Sequence, residues 1–172
     1  MADPTLWLLP PAESPPPLVE AATLLGSYSD SLRGDRTSPN EISISSTLAM
    51  GGRYAGTARP LALSLVPIPL EPLAPSALAQ ALGPLPAQVL QVRALCNSPE
   101  DHQVLAEVSF FLAQHFRARL VIECLKPLPK LIAASSNCIL LAGPPLVPRF
   151  TYVLSPALLR EWACHGSFSL TR

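Results

Sequence analysis

Gln88-Val-Leu-Gln-Val-Arg-Ala-Leu-Cys96, then Asn97-Ser-Pro-Glu-Asp-His102, then an apolar-striped run to Phe116, then Arg119-Leu-Val-Ile-Glu-Cys124: this stretch reads as strand, cap, helix and strand. Ser98 is placed to accept from the N–H groups that open a helix, and Pro99 suits the first helical position, where a missing N–H costs nothing. Glu100 and Asp101 fall in the first turn, against the positive end of the helix dipole. Asp101 also holds the capping-box position, three residues after Ser98. Val104, Leu105, Val108, Phe111, Leu112 and Phe116 recur at spacings of three and four and share one stripe. A stripe this wide needs a sheet beneath it, and Leu90, Val92, Leu120 and Ile122 alternate as strand residues do.

Upstream, Thr5-Leu-Trp-Leu-Leu9 reads as a buried strand stopped by Pro10 and Pro11. Ser14 is placed to cap a helix whose first turn tolerates Pro15 to Pro17, with Leu18, Val19, Ala22 and Leu25 inward. The polar run Ser29 to Asn40 reads as a loop. Glu41-Ile-Ser-Ile-Ser45 alternates as a half-buried strand, and Leu61 to Val66 forms another, ended by Pro67 and Pro69. Ser76 to Leu82 reads as a short helix with Gly83-Pro84 beyond its end.

Downstream, Lys126 to Lys130 is broken by prolines, and Cys138 to Ala142 is a short apolar run. Arg149 to Leu154 alternates. Ser155 then caps a second helix with Pro156 at its first position, Leu158, Leu159 and Trp162 inward, and Gly166 as its stop. Phe168 to Leu170 closes as a last short strand. The order β-α-β-β-α-β-α-β-β-β-α-β implies one α+β domain over residues 1–172, with helices on one face of a mainly antiparallel or mixed sheet. Its first six elements have ferredoxin-like order, and a similar order returns from Gln88, so two ferredoxin-like halves sharing a sheet account for it, without a residue-level repeat.

Composition narrows the function. Only 14% of residues are charged, against roughly 25% in an ordinary domain, so part of the surface is apolar or covered by a partner. Net charge is zero; residues 1–86 carry −3 and residues 87–172 carry +3. No basic cluster provides a nucleic-acid footprint. No apolar run is long enough to span a bilayer, and no secretory signal is visible. Cys96, Cys124, Cys138 and Cys164 are widely spaced with no Cys-x-x-Cys, so neither a zinc site nor another cofactor is indicated, and free thiols in a cytoplasmic protein are expected.

The sharpest chemical candidate is Asp101-His102, with Cys96 just before the cap. A histidine at a helix N-terminus has its cation disfavoured, and a neutral imidazole there serves as base or electrophile. Cys96 paired with a histidine would make a nucleophile. Against this, spacing marks no second base, Asp101 suits the cap, and a cysteine at a strand end is usually core. His115, late in its helix, suits the dipole and the surface. Gly51-Gly52-Arg53-Tyr54-Ala55-Gly56 lacks the Gly-Lys-Ser/Thr of a phosphate loop and reads as a turn between strands. Trp7 and Trp162 read as core.

Two segments carry a family resemblance: Val92 to Ile122, through Cys96-Asn97, Asp101-His102, Val104-Leu105 and Leu112-Ala113 to Phe116; and the end of the chain, through Tyr152-Val153, Leu158-Leu159-Arg160-Glu161-Trp162, His165 and Phe168. There the chain resembles an uncharacterised family of small bacterial proteins, a domain of unknown function. It departs from that pattern at Arg117-Ala118-Arg119, where a glycine-containing turn is expected, and at His165-Gly166-Ser167, where a His-Pro pair is usual. The resemblance implies a small α+β protein akin to immunity proteins, which bind and neutralise a toxin. The expectation is a non-catalytic protein-binding module with a toxin partner. A homodimeric adaptor is the alternative, and a small enzyme using Cys96 and His102 comes third.

Overall fold

The computed structural model describes residues 4–12, 18–27, 35–38, 40–46, 59–68, 79–80, 82–124, 126–141, 150–164, 168 and 170. Its elements are β1 (Thr5–Leu9), α1 (Leu18–Ser27), β2 (Asp35–Ser38), β3 (Glu41–Ser46), β4 (Arg59–Pro67), β5 (Gln88–Ala94), α2 (Pro99–His115), β6 (Arg119–Cys124), α3 (Lys130–Ala133), β7 (Cys138–Leu141), β8 (Phe150–Leu154) and α4 (Pro156–Ala163). The strands form one sheet in the order β2-β3-β4-β5-β1-β6-β8-β7, and every neighbouring pair is antiparallel. The α+β class and the antiparallel sheet are as expected.

Strand β1 lies near the middle, between β5 and β6, with Leu6 opposite Val92 on one side and Ile122 on the other. All five of its residues are buried, because both faces are covered. Leu6 and Leu8 join Leu90, Val92, Leu120 and Ile122 beneath α2, whose Val104, Leu105, Val108 and Leu112 are fully buried. Each such side chain contributes roughly 1.5–3 kcal/mol of burial. Phe111 and Phe116, at the margin of the same stripe, are only half-buried and pack against this cluster. Leu18, Ala21 and Leu25 of α1 and Leu158, Leu159 and Trp162 of α4 complete the same layer.

The topology differs from a ferredoxin-like half. There the first strand would lie between the third and fourth of its set. Here β4 pairs directly with β5, from Leu61 opposite Ala94 to Pro67 opposite Gln88, and β1 lies beyond β5. The reason is the long antiparallel ladder between β4 and β5, which leaves no room for β1 between them. Helix α2 instead carries the chain from β5 to β6 with β1 threaded between, a split β-α-β unit. The segment joining β4 to β5 also departs from the one-face expectation. Ile68, Leu82 and Leu85 pack on the opposite face, over Trp7, Leu9, Val89, Val121 and Val153. Residues 79, 80 and 82 of the expected short helix are helical, and Gly83, at φ 82, closes it by donating to the Ala79 carbonyl.

Three further local features differ from the sequence expectation. The run taken as a loop contains strand β2, and Ser38 pairs with Glu41 so that only two residues connect the hairpin. Its residues lack apolar alternation because pairing there uses backbone groups at a sheet edge. The proline-broken run is irregular up to Pro129, as expected, and an additional short helix, α3, with buried Ile132, follows it. Residues 168 and 170 are not strand; Phe168 meets Trp162 edge-on at 4.8 Å and Leu170 is buried in the core. The proposed cap at Ser14, the Gly51–Gly56 turn and the Gly166 stop lie outside the described residues.

Helix α2 ends on a non-glycine left-handed residue, Arg117, at φ 52. Arg117 N–H donates to the Gln114 carbonyl and Ala118 N–H to the Ala113 carbonyl, which is the Schellman pattern, with Ala113 and Ala118 both buried. The glycine expected at this turn is missing, but its conformation is not. A left-handed L-residue costs roughly 1–2 kcal/mol, of which glycine's greater unfolded-state freedom would cancel part. Arg117→Gly is therefore expected to raise stability by about 1 kcal/mol, read as an upward shift of the urea midpoint with an unchanged slope.

Candidate functional site

The first turn of α2 holds Asp101 and His102, two of the three sequence-predicted residues. Ser98, in extended backbone, accepts from Asp101 N–H at 3.3 Å, and Asp101 Oδ2 accepts from Ser98 N–H at 2.8 Å, completing the capping box. Asp101 is only 2% exposed. A carboxylate buried that far is tolerated because its second oxygen is also matched: Oδ1 lies 3.3 Å from Arg59 Nη1, at the start of β4. The aspartate thus ties the helix start to a strand 42 positions earlier.

His102 is 4% exposed, and both ring nitrogens are engaged. Leu170 N–H donates to Nδ1 at 3.2 Å, so Nδ1 is the bare nitrogen. Nε2 then carries the proton and donates to Asn97 Oδ1 at 2.6 Å. The imidazole is a neutral clip between the loop ahead of α2 and the end of the chain. Burial lowers its pKa, and the nearby Asp101 charge opposes that shift without overcoming it.

Cys96 is exposed, not core. Strand β5 ends at Ala94, and the chain bends outward at 95–96 before the cap. Among the described residues, no hydrogen bond joins Cys96 to Asp101 or His102. The structure therefore unites two of the three candidates and leaves the thiol apart. Arg59, Asn97 and Leu170 belong to the same network but were not singled out from the sequence. Asn97 directly precedes the cap and so carried a weak signal, while Arg59 and Leu170 arrive from remote elements and carried none.

Neighbouring contacts fix α4 on α2. Gln103 Nε2 donates to the Ala163 carbonyl at 2.9 Å, and Arg160 lies over the Phe110 ring at 5.2 Å. Ser155 caps α4 by accepting from Leu158 N–H. His115, at the far end of α2, pairs with Glu20 of α1 on the surface at 3.2 Å. Trp7 and Trp162 are each 3% exposed and lie in the two cores. Among the described residues, no group of three or more His, Cys, Asp or Glu is placed to hold a metal ion, and no helix is long and apolar enough to cross a membrane.

Among the described residues, an eight-stranded antiparallel sheet layered with helices defines an α+β protein. The sequence profile of a family of unknown function, DUF6368, matches residues 4–172, and the chain belongs to that family. No curated protein matches the chain, and no solved structure does.

Two outcomes follow from this geometry. Unfolded histidine titrates near about 6.5, and the folded value is lower, so the unfolded state binds the extra proton. Stability is then full above pH ~6.5 and falls as the pH drops through the lower folded value. A melting temperature that declines from pH 7 to pH 5 is expected, with a shallower decline in His102→Gln, which cannot titrate there. Separately, Cys96 and Cys164 are exposed and are expected to take up a thiol reagent in the native protein. Burial, aided by the Glu123 charge, pushes the Cys124 thiol up to about 12, so mass spectrometry should find it modified only after unfolding.

Proposed function

We propose that the chain is a non-catalytic protein-binding module that neutralises a toxin in the bacterial cytoplasm, as immunity proteins do. One observation carries the non-catalytic part: the residues best suited to chemistry are turned inward. Both nitrogens of His102 and both oxygens of Asp101 are bonded to the chain itself, and the exposed Cys96 thiol stands outside their network. An acid or base whose bonding positions are all taken by its own fold is poorly placed to exchange protons with a substrate. The low charge content and the exposed Val19, Leu95, Leu131 and Leu140 support a surface meant to be covered. The toxin partner follows from the likeness in size and α+β character to immunity proteins, which is an analogy of fold.

The test is co-expression in a bacterial host with the product of a toxic gene that lies beside this one. Restored growth, together with a stable purified complex, is the expected result; no protection and no complex would overturn the reading. A homodimeric adaptor is the second reading, favoured by the exposed leucines, and light scattering that finds a strict monomer removes it.

A further inference from the structure

The two edges of the sheet differ in chemistry. Edge strand β2 reads Asp35-Arg36-Thr37-Ser38, polar and charged, the kind of edge that resists pairing with another strand. Edge strand β7 reads Cys138-Ile-Leu-Leu141 and has no charge. Its Leu140 is 57% exposed, and Leu131 of the adjacent α3 is 73% exposed.

The register shows which backbone groups of β7 point outward. Ser155 N–H donates to the Asn137 carbonyl at 3.2 Å, so that pair is hydrogen-bonded across the ladder with β8. In an antiparallel ladder hydrogen-bonded and non-bonded pairs alternate. Ile139 and Leu141 therefore bond to β8, opposite Val153 and Thr151, whereas Cys138 and Leu140 direct their N–H and C=O away from it. The Cys138 N–H is taken by the Ser135 carbonyl at 3.0 Å. Among the described residues, Leu140 is left presenting a donor, an acceptor and an exposed apolar side chain at the sheet edge.

Charge indicates what would cover that edge. Between Glu123 and Glu161 the chain has Lys126, Lys130, Arg149 and Arg160 and no acidic residue. Lys126 and Lys130 are exposed, and Lys130 opens α3, which packs on β7. Of the bounding acids, Glu123 is on β6, separated from β7 by β8, and Glu161 is on α4, which meets α3. A second copy of the edge would bring one basic surface against another. A strand carrying apolar and acidic residues would complement it.

The geometry points to the β7 edge as the docking site for an extended segment of a partner protein, its apolar side chains meeting Leu131 and Leu140 and its acidic ones meeting Lys130. The segment adds a ninth strand, with main-chain bonds to Leu140 for affinity and Lys130 for selection. This rests on the protein-binding reading above and deepens it.

The test uses the full chain and fluorescein-labelled octapeptides of alternating valine and glutamate or valine and lysine, read by anisotropy. The glutamate peptide is expected to bind about tenfold more tightly than the lysine peptide, with a preference that shrinks as salt rises. Leu140→Pro removes the outward N–H, which proline at an edge strand permits without disturbing the pairing to β8; it should abolish binding while leaving the melting curve in place. If that variant fails to fold, slowed deuterium exchange at the Leu140 amide of the native chain on adding the glutamate peptide gives the same information. Equal binding of both peptides, or binding of neither, overturns the proposal. So does light scattering that finds the native chain dimeric and Leu140→Pro monomeric, which would assign the edge to a second copy. Should Leu140→Pro lose peptide binding yet still protect cells from the toxin, the edge assignment falls and the protein-binding reading stands. Loss of protection and of complex formation in the native chain would remove that reading itself.

Discussion

Burial of one side of α2 against β5, β1 and β6 is the constraint on which the rest of the structure depends. Val104, Leu105, Val108 and Leu112 are removed completely from water, and they can be so only if the strands beneath present a continuous apolar floor. Strand β1 completes that floor by threading between the two strands that α2 connects. A helix joining adjacent parallel strands would need no such insertion. Here the crossover spans a third, antiparallel strand, so the beginning of the chain is locked into its middle.

The helix start does for the loops what the apolar stripe does for the sheet. Two distant pieces of chain converge there, Arg59 from β4 and Leu170 from near the C-terminus, together with the neighbouring Asn97 from the turn after β5. Each is held by a buried polar group that would be costly to leave unmatched. Asp101 and His102 act as fasteners because the interior amplifies the penalty of an unmade bond, and that penalty makes the arrangement specific. The same satisfaction makes them poor reagents, since a group that must break a buried bond to react begins at a disadvantage.

The sheet is finished differently at its two edges. The outer strand β2 is polar in sequence and β7 is apolar, and the docking proposal rests on that difference. The segment from Cys124 to Arg160, which includes β7, carries four basic residues and no acidic one. The proposed docking site lies on this rim, at the opposite boundary of the sheet from the charged hairpin edge.

The sequence by itself determined the local grammar: the Ser98 and Ser155 caps with their prolines, the α2 stripe, the buried β1 run and the alternation of β3, β4, β5, β6 and β8. Those features rest on contacts within a few residues, where spacing alone settles which groups meet. The polar strand β2 was illegible because an edge strand is held by backbone bonds that no side-chain pattern reports. The Arg117 turn was legible as a position but not as a conformation, since it takes the left-handed form without the usual glycine. Strand order, the exposure of Cys96 and the engagement of both His102 nitrogens were decided only by tertiary structure. The strand order depends on pairings as remote as Leu6 with Ile122, His102 on partners 5 and 68 positions away, and Cys96 on where the chain turns after Ala94; a linear pattern encodes which residues seek burial without specifying which partners they find.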